Sequence, residues 1–423
     1  MAATLRIWSV LICLLAWLLA SGAPIVPAQL GGVIAAGAPG VAATNPFVIA
    51  YPGLATAPAP PWVRQGTRLT YYSAAALVPG GPQYVEDENG EWISLTTGKS
   101  YRQEELGHAS GHGYTEVNVA WLDGSATALE VRSYTISGVN GPPTILTLGA
   151  AMGLPGAGDD FWLSPQVLAG IPEHRGPGMK ILRMPYSIGG TRYNAIRFQS
   201  EGLTWVFDLA SGVLLHSGAA GTGAPFRGPV PTGETPQGST YLSQNTLIGV
   251  RATNLPWSSA PAPDWVARTR FLRYDGAINV YVPGNQPIPI PLTATFRWQN
   301  GGANWAQYHQ TVLQASGTGV PITTEAERVF GPAIVGGLWV SPQALRQLRT
   351  GQVLDRDPVT QVTVSVGEIG RTPQGRTTVV IGETGAAQSA DYLYDLDTGV
   401  MLAISSFNRI VNQQIQLRLV GSQ

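Results

Sequence analysis

Trp205-Val-Phe-Asp-Leu-Ala-Ser-Gly-Val-Leu-Leu215 and Tyr392-Leu-Tyr-Asp-Leu-Asp-Thr-Gly-Val-Met-Leu402 are one pattern written twice. In each, an apolar run leads into Asp-x-x-x-Gly and a second apolar run leads out. That pattern predicts two strands joined by a tight turn, with glycine where the backbone needs positive φ. Two more blocks recur in the same order. Ala57-Pro-Ala-Pro-Pro-Trp62-Val63 returns as Ala260-Pro-Ala-Pro-Asp-Trp265-Val266, and Trp162-Leu-Ser-Pro-Gln-Val-Leu168 returns as Trp339-Val-Ser-Pro-Gln-Ala-Leu345. Three blocks repeated in one order identify a tandem duplication.

The spacing between copies is uneven. It is 203 residues at the Trp62/Trp265 pair, 177 at Trp162/Trp339 and 187 at Asp208/Asp395. Copy A, residues 57–255, therefore carries an insertion at about 84–113. Copy B, residues 260–423, carries a shorter one after Pro342. Ser164-Pro165 and Ser341-Pro342 read as starts of a short helix, with serine at the cap and proline at the first helical position. Alternation over 117–132, 192–207, 377–381 and 415–419 predicts half-buried strands, and no long amphipathic helix is visible. The predicted class is all-β: two tandem copies of an antiparallel β module, each a closed or half-closed barrel-like sheet with one short helix. Propeller blades repeat every ~40–50 residues, far below the spacing here.

The N-terminus predicts export. Arg6 precedes an apolar stretch over 7–19, small residues follow, and cleavage after Ala28 gives a signal peptide of residues 1–28. The stretch falls short of the ~20 apolar residues of a spanning helix; retained uncleaved, it would instead be an anchor. Either way the remainder is expected outside the cytoplasm, secreted or at the cell surface, with no membrane span in the mature chain. Residues 29–56, rich in Ala, Gly and Pro, read as a flexible or extended lead-in. Cys13 is the only cysteine, so a mature chain would hold no disulfide.

Charged residues make up 12% of the chain and the net charge is −1. Nucleic-acid binding depends on clustered Lys and Arg, so that partner class is excluded. The insertion in copy A is the stretch that the shared scaffold does not need, and specific function collects in such loops. It offers Tyr84, Trp92 and Tyr101 as ligand-stacking groups, and His108, His112, Glu104 and Glu105 as ligands for a borderline metal such as zinc. Glycines at 107, 111 and 113 place that set in a loop rather than on one helical face. Trp257 and Trp305 have no counterpart in the other copy and are the remaining candidates for ligand contact at the surface. Trp62, Trp121 and Trp162, matched with Trp265, Trp298 and Trp339, are assigned to core packing. Acidic pairs at Asp355/Asp357 and Asp395/Asp397 suggest calcium, yet supply few oxygen ligands.

No Gly-x-Ser-x-Gly, His-Glu-x-x-His or complete phosphate loop occurs, and no cofactor is implied. The favoured reading is a non-enzymatic extracytoplasmic binding or cell-envelope protein. Its partner is expected to be a small apolar molecule, a glycan or another protein. A secreted hydrolase acting on polysaccharide or peptide and a purely structural assembly component are the alternatives. A glycosidase-type carboxylate pair leaves no fixed spacing to search for.

Overall fold

The computed structural model describes residues 45–78, 84–86, 92–94, 100–101, 111–136, 141–176, 178–200, 203–221, 240–316 and 319–422. The predicted signal segment and the first part of the lead-in lie outside them. The regular structure is nearly all β, with only a few short helices, as the sequence predicts. After a one-turn helix α1 (Pro46–Ala50), copy A forms β1 (Thr67–Val78), the short β2 (Tyr84–Glu86), β3 (Trp92–Ser94) and β4 (Ser100–Tyr101), then β5 (Gly111–Leu122), β6 (Thr127–Ile136) and β7 (Pro143–Gly153). Helix α2 (Pro165–Gly170) leads to β8 (Lys180–Ile188), β9 (Thr191–Ser200), β10 (Leu203–Asp208), β11 (Leu214–Gly221) and β12 (Thr240–Ala252). Copy B gives β13 (Phe271–Val280), β14 (Ile288–Gly301), β15 (Ala306–Gln314) and β16 (Ile322–Phe330). It continues with α3 (Pro342–Leu345), β17 (Val353–Arg356), β18 (Thr363–Arg371), β19 (Thr377–Thr384), β20 (Gln388–Asp395), β21 (Met401–Asn408) and β22 (Gln413–Ser422).

The sheet orders are β7-β6-β5-β1-β12-β11-β10-β9-β8 and β16-β15-β14-β13-β22-β21-β20-β19-β18-β17. Strand for strand these are the same topology, with β17 added at one edge of copy B. The chain starts mid-sheet, meanders to one edge, crosses through the helix-bearing segment to the other edge, and returns until the last strand pairs with the first. The two edges of each sheet stay apart, so neither sheet closes. The closed barrel is thus replaced by two open sheets, because the crossover carries the chain between edges without hydrogen-bonding them.

Repetition extends to individual bonds. The indole N–H of Trp62 donates to Ser211 O at 2.8 Å, and that of Trp265 to Thr398 O at 2.7 Å. Trp62 meets Trp162 edge-on at 5.9 Å, and Trp265 meets Trp339 at 6.2 Å. Both sheets carry a bulge beside the equivalent tyrosines: Tyr71 pairs with Leu247 and Thr70 with Gly249, while Tyr274 pairs with Leu419 and Arg273 with Gly421. Strand register corrects one pairing. Val119 and Trp298 both stand just before a bulge, opposite Leu129 and Tyr308, so Trp298 matches Val119, and Trp121 matches Asn300. Ser164 and Ser341 sit at the helix caps, but neither side chain makes a cap bond; proline at the first helical position fixes the start instead.

One continuous apolar core runs through both copies. The described part of the lead-in is packed into it rather than extended. Phe47 of α1 lies edge-on to Phe198, Trp205 and Phe207 at 5.2, 5.4 and 5.4 Å. Strand β5 is buried at every position from 115 to 120, on both faces. In β14, its counterpart, Leu292, Ala294 and Phe296 are buried while Arg297 is exposed. The difference arises because the outer face of β1, β5 and β6 is covered by copy B.

Gly212 and Gly399 hold φ of +75° and +71°, and a Cβ there would lie 1.9 Å from Leu163 O and 2.0 Å from Val340 O. Each glycine thereby lets its turn press against the Trp-x-Ser-Pro segment. Gly212→Ala and Gly399→Ala are each expected to lower stability by about 2–3 kcal/mol in urea unfolding. A loss under about 0.5 kcal/mol in either would contradict the shared role.

Candidate functional site

Copy A carries an open groove of about 880 Å³ with no charged residue in its lining. Its floor and walls follow from local sequence. The bulge opposite Thr70 and Tyr71 leaves Ile248 outside the strand ladder, 46% exposed, with Val250 40% exposed nearby. Gly189 and Gly190, at φ +53° and +82°, form a two-residue turn between Ile188 and Thr191, and that turn makes one wall. Trp62, fixed by its bond to Ser211, and Tyr193 supply aromatic surface. Tyr72 is 37% exposed and lies 6.1 Å from the His112 ring and 6.3 Å from Tyr114. His216 accepts from or donates to Thr246 of the lining at 3.2 Å, and burial pushes its pKa down. In copy B the register places Asp275 where Tyr72 stands, Val420 for Ile248 and Ser422 for Val250. Tyr72 and the exposed aliphatic Val250 therefore have no like counterpart in copy B, whereas Trp62 and Ile248 do, in Trp265 and Val420.

A second constellation lies between the copies. Arg251 grips both carboxylate oxygens of Asp355 at 2.8 Å and also reaches Asp357 Oδ2 at 2.8 Å. Asp357 accepts from Arg68 at 3.1 Å. Arg132 donates to Glu383 at 2.7 Å, to Glu130 at 2.9 Å and to Val335 O at 2.8 Å. Tyr392 donates to Glu383 at 2.7 Å and Tyr134 to Glu116 at 3.0 Å. Each of these ion pairs across the seam joins an arginine of copy A to a carboxylate of copy B. Cross-strand register explains the assembly: Arg68, Asn118 and Glu130 form one row on the outer face of copy A, and Glu116 and Arg132 the next.

Burial raises the Asp357 pKa, but backbone N–H donors, Arg68 and Arg251 outweigh it and hold the group at about 2. Burial likewise raises Glu383, and Arg132 and Tyr392 overcome it, so its pKa is lowered. At Glu116 burial prevails over Arg68, and the pKa is raised.

Those residues singled out in the sequence that the structure describes fall in several parts of the fold. Tyr84, Trp92 and Tyr101 lie on a separate three-stranded sheet, β2-β3-β4, where Trp92 is the cross-strand partner of Tyr101. His112 falls on β5 beside Tyr72, at the groove. His108, Glu104 and Glu105 lie outside the described residues, and among the described residues no three His, Cys, Asp or Glu side chains gather as metal ligands. Trp257 and Trp305 are not surface groups. Trp257, in the segment joining the copies, is 1% exposed and donates to Ile334 O of copy B, and Trp305 is 8% exposed. Large aromatic area makes such residues core material whether or not the other copy repeats them. Asp355 and Asp357, the acidic pair that suggested calcium, are occupied by arginine. The seam residues carry no sequence signal of their own, because each looks like an isolated polar residue on a half-buried strand.

No protein-family model matches the chain, and no curated protein matches it either. Among the described residues no helix is long and apolar enough to cross a membrane.

Removing one partner of the seam leaves a buried charge unpaired. Arg132→Met is expected to cost about 3–5 kcal/mol in urea unfolding, and adding Glu383→Leu should recover part of it. A single-variant loss under about 1 kcal/mol would show that the seam is hydrated. The acid dependence has a defined sign. Asp357 lies below its ordinary 3.8, so its contribution is complete above that value and disappears as pH falls through about 2. Glu116 acts oppositely, contributing below its ordinary 4.5 and less as pH rises through its raised pKa. Asp357→Asn should therefore flatten the loss of stability between about pH 4 and 2; an unchanged acid limb would place that loss elsewhere.

Proposed function

We propose that the chain is a non-enzymatic extracytoplasmic binding protein that holds a small, uncharged, largely apolar molecule in the copy A groove. One observation carries this reading. An uncharged groove of about 880 Å³ exposes Tyr72, Ile248 and Val250 to solvent, and its size falls in the ~300–1,000 Å³ range of small-molecule sites. Soluble surfaces seldom keep such residues together without use. The wall residues are supported by strand pairing and by the Trp62–Ser211 bond, so the site is largely formed before a ligand arrives. Thr191 and Thr246 offer hydroxyls that can orient a polar end of the molecule. The N-terminal apolar run supports the extracytoplasmic part of the reading.

Titration with the neutral probe N-phenylnaphthylamine, followed by native mass spectrometry of protein from its own host, tests it. Ile248→Asp should weaken binding by about ten-fold or more, since an aliphatic contact is worth roughly 1.5 kcal/mol or above. Val420→Asp, at the equivalent bulge of copy B, should leave binding unchanged. Equal losses in both variants, or a bare mass together with no probe binding, would refute the site.

A further inference from the structure

Three turns at one end of the copy B sheet share a character. They are residues 281–287 between β13 and β14, residues 315–316 and 319–321 between β15 and β16, and residues 409–412 between β21 and β22. Backbone pairing brings them to the same end: Val280 pairs with both Ile288 and Gln413, and Gln314 with Leu292. They are also tied together. Tyr281 N donates to Asn412 O at 3.0 Å, the Asn412 side chain donates back to Tyr281 O at 3.0 Å, and Ala315 N donates to Pro291 O at 3.0 Å. Aliphatic side chains face solvent on and beside these turns: Val320 is 70% and Ile410 45% exposed in the turns themselves, Ile288 41% at the first residue of β14, and Leu313 40% near the end of β15.

Charge is missing from the same region. No Asp, Glu, Lys, Arg or His occurs in 276–296 or in 310–324, and Arg409 alone interrupts 398–417. Arg409 itself is turned onto Gly385 O at 2.8 Å, so its guanidinium is engaged by the neighbouring turn. We infer that this end of copy B is a docking surface for the neutral headgroup–acyl boundary of a lipid bilayer. Projecting turns offer isolated convex side chains. A rigid protein partner would need a matching pocket for each, whereas a fluid apolar layer accepts each separately. Tyr281, with its hydroxyl bonded to Gln414 at 2.7 Å and its ring 6.0 Å from Phe407, is the amphipathic group suited to the headgroup level. Because no basic cluster surrounds the turns, the attraction is apolar and insensitive to salt, unlike a polybasic grip on anionic lipid.

Deuterium exchange on the full chain, with and without phosphatidylcholine vesicles, tests the inference and uses copy A as an internal reference. The non-proline amides of residues 281–288, 313–316, 319–320 and 409–412 should exchange about five-fold or more slowly with vesicles, in low salt and in about 0.5 M salt alike, while β6–β7, which do not line the groove, stay unchanged. In Val320→Asp/Ile410→Asp that protection should vanish, while the strand amides of β13–β15 keep theirs and report an intact sheet. No protection by vesicles, as a protein partner for this surface would give, overturns the inference. So does protection that requires anionic lipid, or that persists in the double variant.

Discussion

The arrangement rests on a buried seam in which arginines of one copy meet carboxylates of the other. Arg68, Arg132 and Arg251 lie on the outer face of copy A, and Asp355, Asp357 and Glu383 come from copy B. Removing these charges from water costs several kcal/mol per ion, and each must recover that through close, directed bonds. Bidentate and shared contacts at 2.7–3.1 Å supply them. Without the seam, β1, β5 and β6 would present a row of charge to water, and the two sheets would have no single registered way to meet. Apolar contact beside it is non-directional; the charges select one packing.

The two sheets share topology, bulges and tryptophan bonds, yet the seam uses positions where they differ. Register places Phe271 where copy A has Arg68, Thr295 for Glu116 and Thr311 for Arg132. Copy A in turn has Ser200 where copy B has Glu383. An A-to-B contact is heterologous, and a heterologous contact that can be repeated builds open filaments. Copy B has no arginine at the positions that correspond to Arg68 and Arg132, so its outer face does not offer the same contact again. A residue owned by one copy can thus serve shape as well as use.

Much of the fold was legible because the repeat blocks carry their own geometry. Asp208 and Asp395 with Gly212 and Gly399 define the turns, and Pro165 and Pro342 define the helices. Closure of the sheets was not legible, since strand alternation is the same in open and closed sheets. The seam was hidden for a related reason: period-two alternation marks one buried face, and only the packing of the second sheet shows that the other face is buried too. The rule that unmatched residues are functional fails at Trp257. Its indole bond to Ile334 instead pins the segment that joins the copies onto copy B. At the groove, Ile248 was not legible in the sequence. Its exposure comes from a bulge, and a bulge depends on partner register, not on its own flanking residues.

The same bulge underlies the groove of copy A and its counterpart surface in copy B. In both sheets it ejects one aliphatic residue, Ile248 or Val420, so the backbone geometry is common property. The surroundings of that residue differ. Tyr72 and the Gly189-Gly190 turn wall the groove in copy A. In copy B Asp275 takes the tyrosine position and is held by Arg273 at 2.9 Å and Thr293 at 2.9 Å. An ion pair there needs water around it, and an aromatic ring beside exposed aliphatics does not. Tyr72 against Asp275, Val250 against Ser422 and the tight Gly189-Gly190 turn together separate an apolar groove from a surface that carries an ion pair, over the same bulged strand pairing.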